Sequence, residues 1–257
     1  MDRDYHVHST YSDGRFLFQM VRAAADAGLD GVGIADHCSV TDNAALREQK
    51  HLLGFNLDET YERRRRAIER LREDSEIAIY DGVEMDYHPA EQAEIRAFLE
   101  RADFQYAIGS VHYLEEVNVH VEPYFAEKSD AERAALVAEY FDALVALIDS
   151  ELFDVAAHPD LVERNPALRG YATDEQYRRV AAAFAASRTV PELNAGRALD
   201  EYGEFHPSPP FLDVLAEHDV PVSLGTDAHA PGEIGERVAH VERYLDRRGL
   251  ETVEPVP

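Results

Sequence analysis

Lysine is almost missing from this chain. Only Lys50 and Lys128 occur, and 51 acidic residues against 25 basic ones leave a formal charge of -26. Affinity for a nucleic-acid backbone comes from lysine and arginine displacing counterions, so this balance argues against a long nucleic-acid partner. An acidic, lysine-poor shell is instead expected of a protein kept soluble in concentrated salt, where the Debye length falls to about 3 Å and self-repulsion is screened. Cysteine is equally scarce. Cys38 alone excludes an internal disulfide and fits a reducing compartment. Beside His37 it reads as a small buried filler, because a thiolate among imidazoles and carboxylates would change the softness of a site. Long apolar runs are absent too: no window approaches the ~20 residues of a membrane span. The opening Met1-Asp2-Arg3-Asp4 has neither the positive nor the apolar region of an export signal, so a cytoplasmic protein is expected. At 257 residues a barrel fold is commonly one domain, and residues 1–257 are expected to form one.

What the chain does have is ligand-type side chains at the ends of apolar runs. His6 and His8 flank Val7 on a short strand, where alternate side chains share a face, so both imidazoles can reach one ion. A catalytic ion needs further ligands and an open position. Four later places supply them: Asp36-His37, Gly82-Val83-Glu84, Gly109-Ser110-Val111-His112 and Ala157-His158-Pro159-Asp160. A fifth follows at Gly225-Thr226-Asp227-Ala228-His229.

Between these places the pattern predicts seven strands, mostly alternating with helices. Strands are expected at the opening histidines, Leu29 to Ala35, Ile77 to Tyr80, Phe104 to Ile108, Phe153 to Ala157, Val190 to Leu193 and Val220 to Leu224. Helical spacing runs from Phe16 to Ala27, from Asp58 to about Ser75, from Glu91 to Arg101 and from Gly235 to Arg248. Capping boxes at Ser129/Glu132 and Thr173/Gln176 open two more helices. The Arg63-Arg64-Arg65-Arg66 run reads as a solvated face, with Glu59 and Glu62 placed four residues before Arg63 and Arg66. Such alternation argues for a parallel α/β architecture, and a closed barrel brings all its strand ends around one mouth.

In that order, His6-Val7-His8, Asp36-His37, Glu84, His112, His158 and Asp227-Ala228-His229 resemble the PHP (polymerase and histidinol phosphatase) superfamily over nearly the full length. The resemblance implies a distorted (β/α)7 barrel with its metal site at the C-terminal ends of the strands. It implies up to three divalent ions, zinc, manganese or iron. His6, His8, Glu84 and Asp227 would hold the first, and Glu84 would bridge to a second held by His112 and His158. Asp13, His37 and His229 would hold a third, although Asp13 in a Ser-Asp-Gly turn also reads as a turn residue. Asp4, Asp36 and Asp160 are expected to orient the imidazoles beside them. The remaining histidines, His51, His88, His120, His206, His218 and His240, read as surface or ordinary hydrogen-bonded residues, His206 being the one singled out.

Three segments are similar to the histidinol-phosphate phosphatase branch: Gly109 to His112, Ala157 to Arg164, and Glu192 to Arg197 leading into His206-Pro207-Ser208-Pro209. That branch places arginines on the substrate phosphate, which maps onto Arg164 and Arg197. The expected activity is hydrolysis of a small phosphate monoester by a hydroxide bridging two ions, attacking phosphorus in line, with His206 or the third ion's ligands assisting the leaving group. A PHP phosphoesterase acting on nucleotides or short oligonucleotides is the alternative. A module that binds metals without turnover is a further one, disfavoured because every expected position holds a residue able to ligate.

Overall fold

Short runs of β-branched and small apolar residues build the strands, and amphipathic helices cover them. The computed structural model describes residues 1–256. In chain order its elements are β1 (Arg3–Val7), α1 (Leu17–Asp26), β2 (Gly31–Ile34), β3 (His37–Cys38), α2 (Ala44–Leu53), α3 (Leu57–Arg72), β4 (Ala78–Asp86), α4 (Gln92–Ala102) and β5 (Tyr106–Ser110). There follow β6 (Tyr113–Leu114), β7 (Val117–Asn118), α5 (Glu122–Ala126), α6 (Asp130–Asp149), β8 (Val155–Ala156), α7 (Asp174–Ala186), β9 (Val190–Asn194), α8 (Pro209–Glu217), β10 (Ser223–Gly225) and α9 (Pro231–Arg248).

Seven strands run parallel in the order β1-β2-β4-β5-β8-β9-β10, while β3 continues the line of β2 along β4. The two ends of this path meet. Asp227 donates its backbone N–H to the His6 carbonyl at 2.7 Å, and His8 donates to the Ala228 carbonyl at 2.9 Å, which nearly closes a distorted (β/α)7 barrel. All four residues of β2 are buried, as expected of a parallel strand covered on both faces. Outside it, α1 turns Leu17, Met20, Val21 and Ala24 inward. Each of the larger three contributes roughly 1.5–3 kcal/mol by leaving water. Inside the barrel, Tyr106 donates to the Tyr5 carbonyl at 2.5 Å and packs edge-on against the Tyr5 ring. It has room only because its neighbours are glycines: a Cβ at Gly33 would lie 2.1 Å from the Tyr106 hydroxyl.

Several expectations are corrected here. The strand expected to stop at Tyr80 runs on to Asp86, so Glu84 lies within it. Asp81 does not end the strand, because Arg64 and Arg65 neutralise it, with contacts of 2.7 Å each. Arg64 is therefore fully buried rather than solvated. Neither Glu59–Arg63 nor Glu62–Arg66 forms an ion pair among the described residues; Glu59 faces His51 at 3.3 Å. Helix α2, capped by the Asn43 side chain and ended by Gly54 at φ 80°, occupies a stretch expected to be loop. Helix α8, opened by Pro209 and Pro210, was likewise not foreseen. The last strand starts at Ser223 rather than Val220. Cys38 is buried as a core filler.

Candidate metal centre

At the C-terminal mouth of the barrel the strand ends deliver imidazoles and carboxylates from the whole length of the chain. His6, on β1, and His8, just past its end, present Nε2 atoms 3.1 Å apart. The Asp227 carboxylate lies 3.2 Å from His8 Nε2, and Glu84 Oε2 lies 3.3 Å from His6 Nε2. The other oxygen of Glu84 is 3.1 Å from His158 Nε2 and 3.4 Å from His112 Nε2, which are themselves 3.3 Å apart. On the opposite side Asp13 Oδ1 stands 3.3 Å from His229 Nε2 and 3.9 Å from His37 Nε2. Three sets of donor atoms lie close enough to share an ion: His6, His8 and Asp227; His37, Glu84 and His112; and His8, Asp13, His37 and His229.

Separations of about 3–3.5 Å are those of atoms around one cation at about 2.0–2.2 Å. Tautomers fit the same reading. His6 donates Nδ1–H to Glu192 at 2.7 Å and His112 donates Nδ1–H to Asp86 at 2.6 Å, so that in the neutral form a metal requires each ring would aim its Nε2 lone pair into the cluster. His37 Nδ1 and Glu84 Oε2 approach to 2.7 Å, yet both are buried without a hydrogen-bond partner. Such unpaired, converging donors are costly without a cation, and a nitrogen and oxygen set suits zinc, iron or manganese.

Electrostatics record the same crowding. Burial works against charge on Glu84 and Asp227, but the surrounding imidazoles hold both carboxyls well below the usual range. Burial also opposes charge on His6 and His37, yet carboxylates outweigh it. Glu192, Glu84 and Asp227 keep His6 well above its ordinary value, and Glu84 pushes His37 up to about 9. His8 and His158 go the other way, to about 4, through desolvation and the histidines around them.

A cavity of about 320 Å³ opens over the cluster. A PHP domain model matches residues 4–196. The chain belongs to the PHP domain family. A curated Deinococcus radiodurans relative named "Probable histidinol-phosphatase" is 28% identical over 245 residues, covering 91% of this chain and 88% of the relative. Among solved structures, histidinol phosphate phosphatase from Lactococcus lactis, complexed with zinc, L-histidinol and phosphate, superposes with a TM-score of 0.78 at 20% identity, over 98% of this chain and 95% of that one. A candidate histidinol phosphatase from Listeria monocytogenes gives 0.77 at 16% identity, over 93% and 99%. At these identities the two structures establish the fold.

In this PHP domain all nine ligand-type residues singled out in the sequence, His6, His8, Asp13, His37, Glu84, His112, His158, Asp227 and His229, surround the one mouth. Arg164, on a 3-10 turn after β8, lines the cavity with Nε and Nη2 buried and unpartnered, Nη2 standing 4.0 Å from Asp227. Arg197 also lines the cavity but is exposed and paired with Asp200 at 3.1 Å. His206 does not line it. Fully buried, it donates Nδ1–H to Asp160 at 2.6 Å under the stacked ring of Tyr202. Burial lowers its pKa, and its Nε2 is buried without a hydrogen-bond partner.

Of the aspartates expected to orient imidazoles, only Asp160 does so, and it holds His206 rather than a ligand of the cluster. Asp4 accepts from the backbone of His6 and from Thr226, Asp36 from Ser9, Ser12 and Arg64, and Asp160 from His206 and the Ser208 backbone. Glu192 and Asp86 do that work instead. The signal was in the strand period, since Asp86 shares the face of Glu84 and Glu192 that of Asn194. His120 is exposed, as expected, and also lines the cavity with Asn118, Phe55 and Arg237.

Proposed function

We propose that this PHP protein is a metal-dependent phosphate monoester hydrolase whose substrate is L-histidinol phosphate. The observation that carries the reading is Arg164: a buried guanidinium with two unpartnered nitrogens facing a cluster of metal-type ligands. Burying a charge without hydrogen bonds is expensive, and a phosphate offers the planar, bidentate partner that guanidinium geometry matches. The names of the Deinococcus relative and of the Lactococcus complex support the same substrate class. The cavity volume lies at the small end of the range for ligand pockets, in keeping with a compact monoester.

His6, His8, Glu84 and Asp227 would hold a first ion, Glu84, His112 and His158 a second, and Asp13, His37 and His229 a third. Bound there, zinc, manganese or iron would lower the pKa of water and neutralise charge on the phosphoryl oxygens. The chain's own side chains do the rest. Arg164 grips two phosphate oxygens and fixes the ester in line. Asp160, clamped by His206 and the Ser208 backbone, anchors the turn that carries Arg164, so His206 acts through position rather than proton transfer. Arg197 supplies a second cation at the rim. Asn118, His120 and Phe55 bound the space left for the organic half.

The test is release of inorganic phosphate from L-histidinol phosphate and from a nucleotide panel, with the metal varied. Turnover of histidinol phosphate that vanishes on chelation and in a folded Glu84→Ala variant supports the proposal. Activity confined to nucleotides, or full activity in Glu84→Ala, overturns it.

A further inference from the structure

Arg64 belongs to an outer helix, α3, yet its side chain is completely buried and reaches two regions of the barrel at once. One arm contacts β4: Nη2 meets Asp81 at 2.7 Å and the Gly82 carbonyl. The other arm, Nη1, donates to Asp36 at 2.9 Å. Asp36 is itself fully buried. It accepts three more hydrogen bonds, all from the turn after β1: Ser9 N–H at 2.6 Å, Ser9 Oγ at 2.8 Å and Ser12 Oγ at 3.0 Å.

That turn carries Asp13. Glu84 is set by the β4 ladder, and His112, just past β5, is steadied by Asp86, to which it donates at 2.6 Å. Asp13 lies outside the sheet, on an exposed turn, and is fixed only by its neighbours. Before it, Ser12 is tied to Asp36; after it, Gly14 donates to the Ser9 carbonyl at 2.9 Å. The turn is so tight that a Cβ at Gly14 would sit 2.4 Å from the His8 carbonyl oxygen. Ser12 Oγ also lies 3.4 Å from His8 Nδ1. A buried ion group of this kind is a weak source of stability, since apolar residues of similar volume often replace one without loss. Its distinctive effect is geometric.

We propose that Arg64 is a positioning residue for the ion facing Asp13: by locking Asp36 it locks Ser9 and Ser12, and so holds Asp13 opposite His37 and His229. The inference rests on the three-ion reading proposed above. It separates Arg64 from a purely structural residue, because it acts most on the ion facing Asp13 and less on the two that share Glu84, which the β4 ladder fixes.

The experiment is a Co²⁺ titration of the full-length protein after chelation, followed by visible absorption and metal analysis, for wild type, Arg64→Met and Ser12→Ala. Wild type should take up three equivalents. In Arg64→Met the first two should bind within twofold of wild type while the third weakens about 10-fold or more, the range for residues that orient ligands. Ser12→Ala, which leaves the buried charges paired, should weaken the third by a few-fold and the first by less, through the lost Ser12–His8 contact, and excess Co²⁺ should restore wild-type kcat in both variants. Unchanged third-ion affinity in Arg64→Met overturns the proposal. Where Arg64→Met does not fold, Ser12→Ala decides: a weakened third ion supports the proposal and an unchanged one overturns it. A wild type that binds only two ions overturns the three-ion reading and this inference with it, whereas three ions held equally by all proteins overturns the inference alone.

Discussion

Carboxylates raise three imidazoles in the cluster above their ordinary pKa when no ion is bound: His6 well above it, His37 to about 9, and His229. A metal accepts only neutral imidazole, so loading at pH 7.5 must expel a number of protons set by how many of these rings are charged, while His8 and His158, at about 4, contribute none. Zinc titrations in buffers of different ionisation enthalpy measure that number. It should fall as pH rises through 9, because His37 is then already neutral. At the cavity wall, Arg164→Ala removes a charge-assisted grip of roughly 2–3 kcal/mol and should lower kcat/KM for histidinol phosphate by about 10²-fold, with metal content unchanged. Most candidate ligands were legible because they follow short apolar runs, Asp13 in its turn being the exception. The groups that aim them were not: Glu192 and Asp86 lie inside strands, where a carboxylate reads as an interruption until its partner across the barrel is known. Arg64 was hidden for a related reason, since its arginine-rich run looks solvated and only the fold brings Asp36 and Asp81 to it.

Among the elements, β5 contributes the side chain that fills the barrel's interior. Tyr106 lies against Gly33 of β2 and Gly82 of β4, where added Cβ atoms would come within 2.1 and 2.2 Å of its ring or hydroxyl. Gly33→Ala should therefore destabilise the protein by about 1–3 kcal/mol through overpacking. Combining it with Tyr106→Phe, which removes the atom it strikes, should cost less than the sum of the two single changes, as read by denaturant melts. Local signals found most helices: the capping boxes at Ser129 and Thr173 both form as their spacing indicates. Helix α2 was missed although it carries an asparagine cap and a terminal glycine, because its polar face left the apolar period weak. The long β4 was cut short for the opposite reason, as buried Asp81 imitates a strand end.

For the molecule as a whole, seven parallel strands nearly close on themselves through the backbone of His6, His8, Asp227 and Ala228, so the contacts that join the two edges of the barrel also bring its first and last ligands together. The barrel was legible from the alternation of elements and from the need for ligands so far apart in sequence to converge. Around it, a formal charge of -26 opposes compactness, and added salt screens that repulsion. The melting temperature should rise as KCl is raised into the molar range; a flat or falling curve would remove the salt-adapted reading of the composition. Among the described residues no helix is long and apolar enough to cross a membrane. The most direct test of the whole account is an anomalous difference map at the zinc edge from crystals grown with zinc and phosphate. The account predicts peaks about 2.0–2.2 Å from the donor atoms of His6, His8, Glu84 and Asp227 and of His112 and His158, with phosphate held by Arg164. An empty cluster, or zinc bound only elsewhere on the acidic surface, would contradict it.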